Sequence, residues 1–154
     1  MVDTIDLDKA FKDTNVVILN DEEIIESKEE LGKGTFGTVR KGLFGDKEVA
    51  IKELIFKSDE FTPDEIVRDI QNELKAFSIV GKLHPAIVKF YGVLKQKERI
   101  CFVFELIKGK DLTHENKNMS DKEKLRVVVD ICDVLVTLHK NKLIHRDIKP
   151  NNVM

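Results

Sequence analysis

The residues best suited to chemistry lie in one run near the end of the 154-residue chain, Ile144-His145-Arg146-Asp147-Ile148-Lys149-Pro150-Asn151-Asn152. An Asp, a Lys two positions on and an Asn three beyond that supply a base, a cation and a metal ligand on one loop. In phosphoryl transfer Asp147 would accept the proton of an attacking hydroxyl, Lys149 would neutralise the moving phosphoryl group, and Asn152 would hold Mg²⁺. Read alone, the run also fits a basic turn punctuated by Pro150.

Such a loop needs elements that hold a phosphate chain. Within Glu30–Gly42 three glycines, Gly32, Gly34 and Gly37, follow the spacing G-x-G-x-x-G. Glycines let the backbone fold over a phosphate and present N–H groups at close range. That spacing also fits a dinucleotide-binding turn, which requires a helix opening at the third glycine. Thr38-Val39-Arg40-Lys41-Gly42 is β-prone instead, so strand, glycine loop and strand follow one another. Phe44-Gly45-Asp46-Lys47 reads as a hairpin turn. In the next strand, Glu48–Leu54, alternation puts Val49 and Ile51 on one side and Ala50 and Lys52 on the other.

A helix is expected from Thr62-Pro63-Asp64-Glu65, which combines a capping hydroxyl, Pro at the first helical position and Glu three residues after the Thr. Ile66, Ile70, Leu74 and Phe77 form its apolar stripe, with Glu73 at the stripe's edge. Pro85 keeps His84 out of helical geometry. Strands are expected at Ile87–Leu94 and Arg99–Leu106, then a polar loop over Thr113–Met119. Ser120-Asp121-Lys122-Glu123 is a second capping box, opening a helix to Lys140 that is apolar around most of its circumference. It belongs at the heart of a lobe, and in this chain, without the helices it would pack on, it is expected to leave an apolar face exposed. Asn141 fits a left-handed cap. Val16–Leu19 fits either a strand packed on the domain or a loose extension.

The bulk composition narrows the class. A chain this long makes one domain or two small lobes, and 42% hydrophobic residues suffice for a core. With 26 basic against 28 acidic residues the net charge is −2, which argues against nucleic acid or an anionic membrane as the main partner. No run approaches the roughly 18 apolar residues of a membrane span. Cys101 and Cys132 sit in apolar runs without metal-ligand spacing and are expected to be buried thiols in a reducing compartment, cytoplasmic or nuclear.

The motifs in sequence, the glycine loop, Val-Ala-Ile-Lys ending at Lys52, Glu73 on a helix and the His-Arg-Asp loop, resemble a eukaryotic-type protein kinase from about Ile24 to Met154. Lys149 is similar to the serine/threonine-directed form of that loop, and His84–Val88 with Phe90-Tyr91-Gly92 is similar to the tyrosine-kinase-like group. The resemblance implies an α+β fold: a small lobe over 24–106, with a five-stranded antiparallel sheet and one helix, then a hinge and the start of a helical lobe over 107–154. Residues 1–23 would be an N-terminal extension. It further implies ATP and Mg²⁺ as cofactors and a protein Ser/Thr hydroxyl as substrate. Nucleotide contacts would come from Leu31, Gly32, Lys33, Gly34, Thr35, Phe36, Gly37 and Val39 in the glycine loop. Ala50 would lie under the adenine, Lys52 on the α- and β-phosphates, and Glu73 would pair with Lys52. Phe104, Glu105 and Ile107 would line the hinge, Asp111 would meet the ribose and Met154 would lie beneath the adenine.

The chain stops two residues after Asn152, ahead of any Asp-Phe-Gly segment, activation loop or later helices. The expectation is an N-terminal portion of a kinase domain that binds nucleotide without measurable transfer. A non-catalytic nucleotide- or partner-binding module is the alternative, and a small-molecule kinase is disfavoured by Lys149.

Overall fold

From Ile24 the chain builds a meander: β2 (Ile24–Gly34), β3 (Gly37–Phe44) and β4 (Lys47–Glu53). In this computed structural model residues 7–12, 14–34, 37–55, 62–96 and 99–154 are described. A left-handed Gly45 (φ 57°) turns β3 into β4, as the hairpin signal predicts. β5 (Phe90–Lys95) and β6 (Ile100–Glu105) complete the antiparallel part, and β6 pairs with β4. A sixth strand, β1 (Ile18–Leu19), pairs parallel to β5. The sheet runs β1-β5-β6-β4-β3-β2 and is therefore mixed and six-stranded rather than five-stranded and antiparallel.

The chain divides into two compact units. The first holds Met1–Ile79 and Lys89–Leu106, with the sheet, the short helix α1 (Leu7–Phe11) and α2 (Pro63–Val80). Its sheet is apolar on both faces. On one, Ile66, Val67, Ile70 and Leu74 of α2 pack with Val93, Ile100 and Phe102. On the other, Val49, Ile51, Leu94, Cys101 and Val103 pack with Leu19 and Ile24. Burying each such side chain is worth about 1.5–3 kcal/mol. The capping box forms as its residues require: the Glu65 carboxylate accepts from Thr62 N (2.9 Å), and Glu65 N donates to the Thr62 hydroxyl (3.4 Å).

The second unit holds Val80–Val88 and Ile107–Met154. Residues 84–87 form a turn, with Ile87 N donating to His84 O and Ala86 N to His84 Nδ1, so β5 begins at Phe90 and not at Ile87. The expected loop at Thr113–Met119 opens inside a short helix, α3 (Leu112–Glu115), because Asp111 caps it through His114 N. α4 (Asp121–Lys140) starts at Ser120 with the foreseen capping box.

α4 keeps the exposed apolar face expected of it: Leu138 is its one buried residue, while Leu125, Val128, Val129 and Val136 are between 48% and 64% exposed. Two expectations fail in this unit. Cys132 on the same helix is exposed, and Cys101 alone is buried, with desolvation pushing its thiol up to about 12. Asn141 has φ −94°, and the left-handed position falls one residue later, at Lys142 (φ 59°). Asn141 instead folds its amide back onto Thr137 O, which satisfies a terminal carbonyl from the right-handed side. Among the described residues no helix is long and apolar enough to cross a membrane.

Candidate active site

In the first unit the sheet register aligns the expected nucleotide residues. Val39 lies opposite Lys52, Lys52 opposite Phe102, and Ala50 opposite Phe104. Directly paired residues project to one face, and so do positions i and i+2. Val39, Ala50, Lys52, Phe102 and Phe104 therefore share the face that α2 packs on. Val49 and Ile51 point to the other, as the alternation predicts.

Glu73 meets that face from α2. Its carboxylate lies within electrostatic reach of Lys52. Desolvation is the larger influence and raises its pKa above the ordinary value, Lys52 opposes the rise, and Asp69 adds to it. Glu65 is taken up by the helix cap, which leaves Glu73 as the acid on this helix beside Lys52.

The glycine hairpin has two distinct requirements. At Gly37 (φ 141°) an added Cβ would lie 1.7 Å from Glu53 O, so β-strand packing alone demands glycine there. At Gly32 a Cβ would meet nothing within 4 Å. Leu31, Gly32 and Lys33 are exposed, and Gly34 pairs with Gly37. Thr35 and Phe36 lie outside the described residues.

Two features of this unit escape motif reading. Phe104, expected at the back of an adenine pocket, stands in a cluster of rings with Phe77 (5.1 Å), Phe90 (5.3 Å) and Phe102 (6.4 Å). The alternating Phe102 and Phe104 were the available signal. On the opposite face Arg40 meets Glu53 at 2.8 Å, and Arg99 meets Glu53 at 3.8 Å and Glu26 at 2.7 Å. This chain of charges crosses from β2 to the start of β6, and no local spacing announces it. At the strand's end Lys89 N donates to the Glu105 carboxylate (2.7 Å) and Glu105 N to Lys89 O (2.9 Å).

In the second unit the His-Arg-Asp loop is a knot of local bonds. Lys149 Nζ lies 3.0 Å from Asp147 Oδ1, and the Asn152 amide donates to Asp147 Oδ2 (2.8 Å) and to Asp147 O (2.9 Å). Asp147 N donates to His145 Nδ1 (3.3 Å), and Arg146 takes the left-handed φ of 66°. Such a conformation in a non-glycine residue costs on the order of 1 kcal/mol. The hydrogen bond from Lys149, then that from Asn152, holds the Asp147 carboxyl below its ordinary pKa.

α3 buttresses this loop: Leu112 N donates to Val153 O (2.7 Å), and the Thr113 hydroxyl to Asn151 Oδ1 (3.1 Å). Asp111, expected at a ribose, accepts from His114 N (3.1 Å) and lies 2.8 Å from His114 Nδ1. Desolvation raises its pKa, but the hydrogen bonds from His114 and Thr113 prevail and leave it lowered. Ile107 and Met154 are exposed, Met154 to 64%.

With this geometry in hand, comparison with known proteins is specific. A model of the protein kinase domain matches residues 25–154. Over 156 residues the chain is 29% identical to a probable serine/threonine-protein kinase of Dictyostelium discoideum, covering 96% of this chain and 17% of that protein. It is 34% identical over 143 residues to human serine/threonine-protein kinase Nek10, covering 82% of this chain and 12% of the relative. Against human NUAK family SNF1-like kinase 1 it is 31% identical over 134 residues, covering 84% and 20%. The chain thus spans a fifth or less of the length of these relatives. The glycine hairpin, the Lys52 strand with Glu73 beside it, the His-Arg-Asp loop and a domain match over nearly all the described chain agree: it belongs to the eukaryotic-type protein kinase family.

Proposed function

We propose that this chain takes up Mg·ATP and supplies the base for γ-phosphoryl transfer to Ser/Thr hydroxyls of a protein substrate. The observation that carries the reading is the placement of Glu73 within electrostatic reach of Lys52, on the same sheet face as Val39 and Ala50. Mg·ATP supplies the electrophilic phosphorus and the counter-charge on the phosphate oxygens. Lys52 contributes a cation for the α- and β-phosphates, and Glu73 orients it. Leu31, Lys33, Val39 and the backbone of the glycine hairpin cover the nucleotide. Ala50 and Phe104 bound the base, and Glu105 offers a backbone group to its edge.

Asp147 accepts the hydroxyl proton. Its lowered pKa keeps it ionised at neutral pH, and Lys149 stands beside it to offset charge on the transferring group. The Asn152 amide turns its nitrogen to Asp147, so its oxygen is the atom offered to a hard cation. Among the described residues no group of three or more His, Cys, Asp or Glu side chains could hold a metal. The single Asn152 amide oxygen suits Mg²⁺ arriving with phosphate and water ligands. The free thiols of Cys101 and Cys132 support a cytoplasmic setting.

Binding without transfer is the second reading. It is favoured by the engagement of both Asp147 carboxylate oxygens, Oδ1 by Lys149 Nζ (3.0 Å) and Oδ2 by the Asn152 amide (2.8 Å).

Calorimetric titration with Mg·ATP tests the nucleotide site. Lys52→Met is expected to weaken binding at least about tenfold, while Asp147→Asn stays within about threefold of the parent. Equal affinity of Lys52→Met and the parent would refute the reading.

A further inference from the structure

Residues ahead of the kinase match at 25 pack into the core of the first unit, against the helix that carries Glu73. Ala10 is fully buried and belongs to the same cluster as Ile66, Val67, Ile70 and Leu74 of α2, with Phe11 and Val16 packed alongside. Polar contacts reinforce this on the helix surface: Lys9 Nζ lies 3.0 Å from Asp64 Oδ1, and the Gln71 amide donates to Lys12 O (2.9 Å). The buried Thr14 bonds back to Phe11 O (2.7 Å), and Asn15 turns the chain through a left-handed φ of 52°.

The segment then passes to the sheet. Val93 N donates to Val17 O (2.9 Å), β1 pairs with β5, and Leu19 enters the core on the opposite face. The sheet accommodates it at one residue. Gly92 has φ 154°, and a Cβ there would lie 2.4 Å from Val17 O. Residues 9–12 and 14–19 therefore contact both faces of the sheet around its β5 edge, and a glycine in β5 makes the room.

We propose that this segment is a built-in brace that fixes the position of α2, and through it the pairing of Glu73 with Lys52. Ala10 is then a positioning residue, acting on the nucleotide site through a helix rather than by contact. The inference rests on the nucleotide reading given above. A chain whose N-terminal segment is displaced, by a partner or by modification near Lys9–Lys12, would lose nucleotide affinity while its glycine hairpin and Lys52 strand stay folded.

The test uses the full chain and two readouts, hydrogen exchange of α2 amides and Mg·ATP affinity. Ala10→Glu should lower α2 protection at least about tenfold and raise the Kd for Mg·ATP about fivefold. Glu73→Gln should cost about fivefold in the parent but less than about 1.5-fold in the Ala10→Glu background, because the pairing it removes is already lost. General destabilisation would instead leave the two effects multiplicative, and that result overturns the proposal. Unchanged α2 protection overturns it as well. Should Ala10→Glu fail to fold, the surface double variant Lys9→Ala/Gln71→Ala serves, with α2 protection expected to fall at least about threefold and no change counting against the brace. Lys52→Met separates the two ideas: if it binds Mg·ATP like the parent the nucleotide reading falls, and the brace then stands or falls on hydrogen exchange.

Discussion

At the residue scale the two acids are shifted in opposite directions. Asp147 is exposed and is held low by the ammonium of Lys149 and the amide of Asn152. A carboxylate whose folded pKa is depressed adds stability above its unfolded pKa and loses it as pH falls through the folded one. Glu73 has the opposite sign. Its pKa is raised by desolvation, so whatever it contributes is present below its unfolded pKa and disappears as pH rises through the folded value. Carboxyl-carbon NMR titration checks both. Asp147 should titrate below 3.8 and return toward it in Lys149→Met, while Glu73 should rise further in Lys52→Met, which removes the opposing cation. No movement of Glu73 in Lys52→Met would separate the two side chains and remove the main support for the nucleotide site. These carboxylates were legible in the sequence as residue types at fixed offsets. Their engagements were not, since His114 on Asp111 and Asn152 on Asp147 depend on how each loop closes.

At the element scale the strand carrying Lys52 is fixed from both faces. Lys52 points to the α2 side, while the next residue, Glu53, joins Arg40 and Arg99 on the other. The same residue's carbonyl fills the space beside Gly37. Gly37→Ala should therefore destabilise the first unit by more than about 2 kcal/mol, read by denaturant unfolding, because it meets both a positive φ and a backbone oxygen. Gly32→Ala, with open space at its Cβ, should cost less than about 1 kcal/mol. Equal costs would mean that the hairpin does not seat on Glu53. Strands β2 to β6, α2 and α4 could be read from the sequence because period, turn residues and capping boxes are local signals. β1 and the packing of α1 could not, since Ile18–Leu19 becomes a strand only by pairing with β5, some 75 positions away. α3 was missed for a similar reason: four residues show no period, and its cap is a single Asp.

At the scale of the whole molecule the sequence says that α4 is apolar, and the structure says where that surface lies. Leu125, Val128, Val129 and Val136 remain exposed on a helix whose ends are well capped. A patch of this kind promotes association. The double variant Val128→Lys/Val129→Glu should reduce self-association in sedimentation velocity and dye binding to apolar surface, with helix content by circular dichroism unchanged. Loss of helix content instead would show that these side chains hold the second unit together. The proposed nucleotide site of the first unit requires the glycine hairpin and Lys52 to take up one Mg·ATP. Paramagnetic broadening by Mn·ATP tests it most directly. Amide resonances of Gly32, Lys33 and Lys52 are expected to broaden together at one saturating stoichiometry and to recover with excess Mg·ATP. Broadening that spares these three amides would contradict the account.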